Sequence, residues 1–214
     1  MRLTTKQLSN MDQLDMFTTP QDPLKPVQIQ NGSYIHVRNF FNSTEADTYL
    51  KACKDGIEWK QESMKMYGKV IPFPRLQAWY GDQGKFYSFS GIKLEPNTWN
   101  QVLIEIKTKI EPLVKVSFNS VLLNRYRDGS DSMSWHTDAE KELGKNPTIA
   151  SVNLGATRSF QLKHNTTKEK IVIDLAHGDL LIMTGELQHF WKHQVPKTKK
   201  IINERINLTF RVIK

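Results

Sequence analysis

The sequence predicts an α+β domain, mainly β, built as a sandwich or jelly roll with helices towards its N-terminal side. Three observations lead there. Past residue 114 the chain breaks into short apolar runs separated by turn residues, which is how packed short strands read. Ahead of them, two segments carry apolar residues at helical spacing. The last run, Arg205 to Arg211, alternates polar and apolar side chains, so one of its faces is polar along its whole length.

Residues 1–27 are polar, and Thr18, Thr19, Pro20, Pro23 and Pro26 interrupt any periodic pattern, so a flexible tail is expected there. Residues 28–214 are expected to form one domain. Tyr34-Ile35-His36-Val37 reads as a strand. Ser43-Thr44-Glu45-Ala46 has cap character, and helical spacing continues from Ala46 to Cys53. Residues 66–91, rich in Tyr, Phe, Trp, Gly and Pro, read as short strands and exposed loops. Val102, Leu103, Ile106, Ile110 and Leu113 make 99–114 an amphipathic helix. Strands follow at 120–126, 149–154, 159–162, 170–173, 179–183 and 206–210. No internal repeat or low-complexity block is visible.

The chain has 214 residues, 38% hydrophobic and 10% aromatic, enough for a packed core. Its 30 basic and 22 acidic residues leave a formal charge of +8, which suits a polyanionic partner such as nucleic acid. No basic amphipathic helix stands out and no run of 18 apolar residues exists, so neither membrane binding nor a membrane span is expected. The chain starts Met1-Arg2-Leu3-Thr4 with no apolar leader, and its one cysteine, Cys53, fits a reducing interior. Within the tail, Gln13-Leu14-Asp15-Met16-Phe17 places apolar anchors in a polar setting, where they suit docking into a partner's groove.

The residues that promise chemistry lie in the second half. His136 and Asp138 flank Thr137, so in an extended segment both point to one face. A second imidazole beside them would complete the two-histidine, one-carboxylate face that holds non-haem Fe(II) and leaves its other positions open. His177, His189 and His193 compete for that place. His177-Gly178-Asp179 looks like a turn, and periodicity does not choose between the other two. In the terminal strand Arg205, Asn207, Thr209 and Arg211 share a face. Two guanidiniums beside Asn124 and Tyr126 suit a small dicarboxylate, because arginine binds carboxylate through a planar fork. That polar face has no use unless it lines a cavity.

Taken together, these segments resemble the AlkB family of Fe(II)- and 2-oxoglutarate-dependent nucleic-acid dealkylases, and most of all its DNA-repair members. The likeness runs from about residue 34 to residue 214. It is carried by Pro74-Arg75 with Tyr80-Gly81-Asp82, Asn124-Arg125-Tyr126, His136-Thr137-Asp138, His177-Gly178 with Leu180 and Met183, His193 with Pro196, and Arg205-Ile206-Asn207-Leu208-Thr209-Phe210-Arg211. The resemblance implies a double-stranded β-helix (jelly roll) with flanking N-terminal helices and a nucleotide-recognition lid. It makes His193 the third metal ligand and Fe(II), 2-oxoglutarate and O₂ the cofactors. It assigns Asn124, Tyr126, Arg205, Thr209 and Arg211 to 2-oxoglutarate, with Asn207 nearby. It sets Tyr87, Ser88 and Phe89 at the pocket for an extruded base, with His136 on the base's other face. Arg75 is counted among the substrate-binding residues. Tyr67, Gly68 and Lys69 correspond to the hairpin by which duplex-acting members probe the base stack, with Tyr67 as the wedge. After the metal motif the chain carries Ala139 where some relatives have a carboxylate, and Glu140 beyond it is expected at the exocyclic amine of the base.

The function implied is removal of N-methyl groups from 1-methyladenine and 3-methylcytosine in DNA, single- or double-stranded, releasing formaldehyde, succinate and CO₂. RNA is a further expected substrate. The pentapeptide Gln13–Phe17 resembles a bacterial sliding-clamp-binding motif, which makes the clamp a second expected partner. A monomer is expected, cytoplasmic and DNA-associated in a bacterium or nuclear in a eukaryote. Two other readings share these residues: a hydroxylase or demethylase of the same class acting on RNA or protein, and a module that binds damaged DNA without turnover.

Overall fold

The structure, a computed structural model, is described for residues 24–214 except 67, 86, 90, 91 and 201, with backbone alone at 65, 66, 87–89 and 92–94. The expected tail, with Gln13–Phe17, therefore lies outside the described residues except for its last four positions.

The chain begins with β1 (Val27–Ile29) and β2 (Gly32–Val37), then α1 (Ser43–Gly56). Next come β3 (Ser63–Met66), β4 (Lys69–Pro72), β5 (Leu76–Gly81), β6 (Tyr87–Phe89), β7 (Ile92–Leu94) and α2 (Gln101–Val114). The second half holds β8 (Ser120–Tyr126), β9 (Met133–His136), β10 (Ile149–Gly155), β11 (Arg158–His164), β12 (Lys170–Leu175) and β13 (Leu180–Thr184). It ends with the short α3 (Leu187–Phe190), β14 (Trp191–Val195) and β15 (Arg205–Arg211).

Seven strands form one antiparallel sheet in the order β1-β2-β13-β10-β15-β8-β5, and four form another, β12-β11-β14-β9. From β8 onwards the chain crosses repeatedly between the two sheets. That is a jelly roll, as the run of short strands predicts. The hairpins β3–β4 and β6–β7 stand apart as two-stranded sheets.

The two long helices, α1 and α2, both start on an asparagine. Asn42 and Glu45 make a capping box ahead of α1: the Asn42 side chain accepts from Glu45 N, and Glu45 returns a carboxylate to Asn42 N. The cap is thus the residue before the Ser43–Ala46 segment in which cap character was read from sequence, and Glu45 of that segment completes the box. Asn100 caps α2 by accepting from Leu103 N, which moves that helix's start past Trp99. The turn expected at His177-Gly178 is present. Gly178 has φ +81°, and a Cβ there would fall 2.2 Å from Phe41 O, so only glycine fits.

The larger sheet is buried on both sides. Its outer face packs under the helices, where Ala46, Tyr49 and Cys53 of α1 and Leu103, Ile106 and Ile110 of α2 meet the sheet. Each fully buried aliphatic side chain contributes about 1.5–3 kcal/mol relative to exposure. The inner faces of the two sheets make a second core that includes Tyr126, Phe160, Leu162, Met183 and Trp191. Strand β15 divides its side chains between the two: Ile206, Leu208 and Phe210 go to the helix side. Arg205, Asn207, Thr209 and Arg211 face inward, and all seven residues are buried.

Cys53 is fully buried, and burial pushes its thiol up to about 12. Since the thiolate is the nucleophile, Ellman's reagent should leave the folded protein unmodified and titrate one thiol per chain in guanidinium. Rapid labelling of the native protein would contradict the packing of α1.

Candidate active site

β9 and β14 are neighbours in the four-stranded sheet, and their register sets His136 opposite His193. Asp138 lies two residues past the end of β9, so the shared face expected of His136 and Asp138 comes from a strand and the loop after it. One ligand atom from each of His136, Asp138 and His193 lies within 4.8 Å of the others, with Asp138 and His193 buried. His136 Nδ1 donates to Ser134 O at 2.8 Å, which leaves Nε2 with its lone pair 3.7 Å from Asp138 Oδ1. A backbone carbonyl fixing the tautomer in this way is the usual support for a metal-binding imidazole.

The competition among histidines is decided by geometry. His177 Nδ1 accepts from Gly155 N at 2.8 Å, so it organises a turn between strands. His189 sits in α3 rather than at a strand start, and its Nε2 meets Asn146 Oδ1 at the surface. His193, mid-strand in β14, is the one that reaches Asp138.

Charges inside the site are tightly set. Burial alone would raise the Asp138 carboxyl. Arg211, donating to Oδ2 at 2.7 Å, together with His193 and His136, outweighs burial and holds it well below the usual carboxylate range. Burial, with His136 and Arg211 beside it, pushes His193 down to about 3, so its imidazole is neutral at physiological pH and available as a ligand. Gln188 supports the carboxylate from behind, accepting from Asp138 N at 3.0 Å. Arg158 joins the frame of the two ligand-bearing strands by donating to the carbonyls of Asp128, Asp131 and Pro196.

Beside the three ligand residues lies a narrow cavity lined by Asn124, Tyr126, Arg205, Asn207, Thr209 and Arg211, all six of the residues expected there. Arg205 is 2% exposed and lies over the Tyr126 ring at 5.1 Å. Burial pulls it down to about 10, so it stays charged at neutral pH. One of its nitrogens, Nη2, donates to Asn153 Oδ1, while Nε and Nη1 are buried with no partner among the described residues. Buried donors left open in this way call for an acceptor that the protein does not supply. Asn207 is used differently. Its amide donates to Ser151 Oγ and Val152 O and its oxygen accepts from Thr209, so both ends shape the cavity floor.

A larger chamber opens outward from the same metal-side residues, His136, Asp138 and Arg211. Glu140 lines it, together with Gln77, Trp79, Glu62, Glu95 and Leu122, which sequence reading missed. The signal for Gln77 and Trp79 was available, since alternate residues of a strand share a face. Ala139 is exposed and outside the lining. Gly68 and Lys69 are exposed at the β3–β4 hairpin. Tyr67 lies outside the described residues, as do the side chains of Tyr87, Ser88 and Phe89, whose backbone forms β6. Arg75 is not at the chamber. It is 3% exposed and donates to Asn124 Oδ1 and Ser132 O, because its place just before β5 turns it into the sheet edge.

Two imidazoles, one ionised carboxylate and a neighbouring cavity with open guanidinium donors fit a divalent iron and an anionic cosubstrate. Residues 33–211 match the family model of the 2OG-Fe(II) oxygenase superfamily. The chain belongs to that superfamily, in its AlkB family. It is 43% identical over 185 residues to alpha-ketoglutarate-dependent dioxygenase alkB homolog 3 of Mus musculus, covering 81% of this chain and 64% of that protein. It is 38% identical over 184 residues to DNA oxidative demethylase ALKBH2 of Homo sapiens, covering 81% and 70%. The chain thus spans less than two thirds of the mouse relative's length. The fold agrees with a solved structure of OsALKBH1, with TM-score 0.61, 21% identity and coverage of 86% of this chain and all of that one. The cofactors of this AlkB-type site are Fe(II), 2-oxoglutarate and O₂, for which the donor set here is suited.

Breaking a buried ion pair from one side leaves an uncompensated charge. Arg211→Met should therefore cost about 3–5 kcal/mol in urea unfolding of the metal-free protein at pH 7. Adding Asp138→Asn to the same chain should recover part of the loss. Unchanged stability in Arg211→Met would contradict the pairing.

Proposed function

We propose that this AlkB-family protein is an Fe(II)- and 2-oxoglutarate-dependent dioxygenase that removes N-methyl groups from nucleic-acid bases, DNA foremost, with 1-methyladenine and 3-methylcytosine as substrates. The observation that carries this reading is the His136-Asp138-His193 cluster, with Asp138 and His193 buried, lying between a cavity with open arginine donors and a chamber that opens outward. His136, Asp138 and His193 hold the iron. Arg205 takes the distal carboxylate of 2-oxoglutarate through its open Nε and Nη1, with Tyr126 packed against the guanidinium. Asn124, Thr209 and Arg211 complete that cavity, over the floor made by Asn207. When bound, Fe(II), 2-oxoglutarate and O₂ supply the oxidant for hydroxylating an N-methyl carbon, with succinate, CO₂ and formaldehyde as products. The protein's share is to keep Asp138 ionised and His193 neutral, to exclude water from the cavity, and to aim the methyl group.

Two surface features support a nucleic-acid substrate. Lys163 stands in register with Lys170 on one side and Lys192 on the other, across three adjacent strands. Like charges directly opposite cost stability in a sheet, and a phosphate backbone relieves that cost while using the +8 overall charge. Inside the chamber the sign reverses, with Glu62, Glu95 and Glu140 on its wall. 1-Methyladenine and 3-methylcytosine carry positive charge and pair badly, so they suit such a wall and are cheaper to extrude. The hairpins β3–β4 and β6–β7 supply the lid over the flipped base, with Tyr67 as the wedge and Tyr87, Ser88 and Phe89 at the ring.

Two experiments test this. Fe(II)-loaded protein should release formaldehyde from oligonucleotides carrying 1-methyladenine or 3-methylcytosine, with DNA and RNA versions run side by side; no release from any of them ends the demethylase reading. Arg205→Met should weaken 2-oxoglutarate binding about 10- to 100-fold, the worth of a lost charge-assisted hydrogen bond in a buried site, while leaving oligonucleotide binding unchanged. Equal 2-oxoglutarate affinity in the variant would remove Arg205 from the cosubstrate site.

A further inference from the structure

Two carboxamides on neighbouring strands face each other, Gln77 of β5 in register with Asn124 of β8. A third side chain fixes which way each of them points. Arg75 donates through Nε to the Asn124 side chain at 2.9 Å. A guanidinium has only N–H groups to offer, so the Asn124 atom that meets it is the oxygen. The two ends of a carboxamide are nearly alike in shape, and their assignment rests on such partners. Asn124 Oδ1 also accepts from Gln77 Nε2 at 3.0 Å. An oxygen already accepting from arginine leaves Gln77 no choice but to present its NH₂ group. Polarity therefore passes from Arg75 through Asn124 to Gln77.

Each end of this relay leaves one group unused. Asn124 Nδ2 remains as a donor in the cosubstrate cavity that Asn124 lines. Gln77 Oε1 makes no hydrogen bond with the described residues, and Gln77 lines the outer chamber, next to Trp79 on the same face of β5. We infer that Gln77 is a specificity-determining residue: its carbonyl accepts an N–H from the exocyclic amine of the base in the chamber, and Arg75 imposes that polarity through Asn124. The inference rests on the nucleic-acid reading above and gives it a rule. Adenine and cytosine carry an amine next to the ring nitrogen that is methylated, whereas in thymine both neighbours of that nitrogen carry oxygens. An oxygen would meet Oε1 lone pair to lone pair. An amine has two N–H bonds, so Glu140, on the wall of the same chamber, takes one while Gln77 takes the other. Arg75 is thus a positioning residue that touches neither ligand yet orients a group for each.

The test compares single-stranded oligonucleotides carrying 3-methylcytosine or 3-methylthymine, bound to protein loaded with Mn(II) and 2-oxoglutarate. Wild type should prefer 3-methylcytosine, and Gln77→Leu should shrink that preference about tenfold or more by losing affinity for 3-methylcytosine alone. Arg75→Met should narrow the same ratio and also weaken 2-oxoglutarate binding, and Arg75→Lys, which keeps a donor, should restore both. Equal losses on the two oligonucleotides in Gln77→Leu, or an unchanged ratio, would overturn the inference. Gln77→Leu carries the test if Arg75→Met does not fold. Formaldehyde release by wild type is measured in parallel. Its absence with the binding preference intact would count against demethylation and not against Gln77.

Discussion

A carboxylate taken out of water costs several kcal/mol unless opposite charge and hydrogen-bond donors accompany it. Asp138 is such a group, and much of this molecule can be understood as the means of keeping it there. Arg211 neutralises one side, two imidazoles flank the other, and Gln188 holds the backbone behind it. Each comes from a different element: Asp138 from the loop after β9, His193 from β14, Gln188 from α3, Arg211 from the last residue of β15. The two sheets must therefore both be in place before the carboxylate is satisfied. Asp138 is thereby ionised and oriented by the protein itself.

β15 ties that site to the rest of the fold. Its apolar residues are covered by α1 and α2, and its polar residues line the inner cavity. A strand buried on both faces with only one face apolar is stable because every inward polar group has a partner or a ligand to meet. Asn207 and Thr209 satisfy each other, and Arg211 meets Asp138. Arg205 keeps two nitrogens open for a ligand. Helix packing outside thus sets the position of the guanidiniums inside, so a change in the α2 core would be felt in the cavity.

Much of this was legible in the sequence, for definite reasons. The period-two alternation of 205–211 was strong enough to give both faces of β15, and the apolar runs at 120–126 and 170–173 gave strands close to those observed. His136 and Asp138 could be paired because they are near in sequence. His193 could not be chosen over His189 from residues alone, since that depends on the β9–β14 register and on α3, a helix too short to leave a periodic trace; the family resemblance supplied it. β9 and β14 were not read as strands in full because their residues mix histidine, serine and lysine among few apolar positions. Arg75 was expected among the substrate-binding residues, yet it lies in the Asn124 network, because proximity across β5 and β8 is a matter of register that one sequence does not display. Gln188 and Arg158, which hold the site from outside, carry no motif, and only their partners reveal them.

The proposed divalent-ion site unites His136, Asp138 and His193. Titrating Mn(II) into the metal-free protein and following the free ion by electron paramagnetic resonance tests it most directly. One tight site per chain is expected in wild type, lost in His193→Ala while the far-ultraviolet circular dichroism stays unchanged. Equal Mn(II) binding in wild type and His193→Ala, or no tight binding to wild type at all, would contradict it.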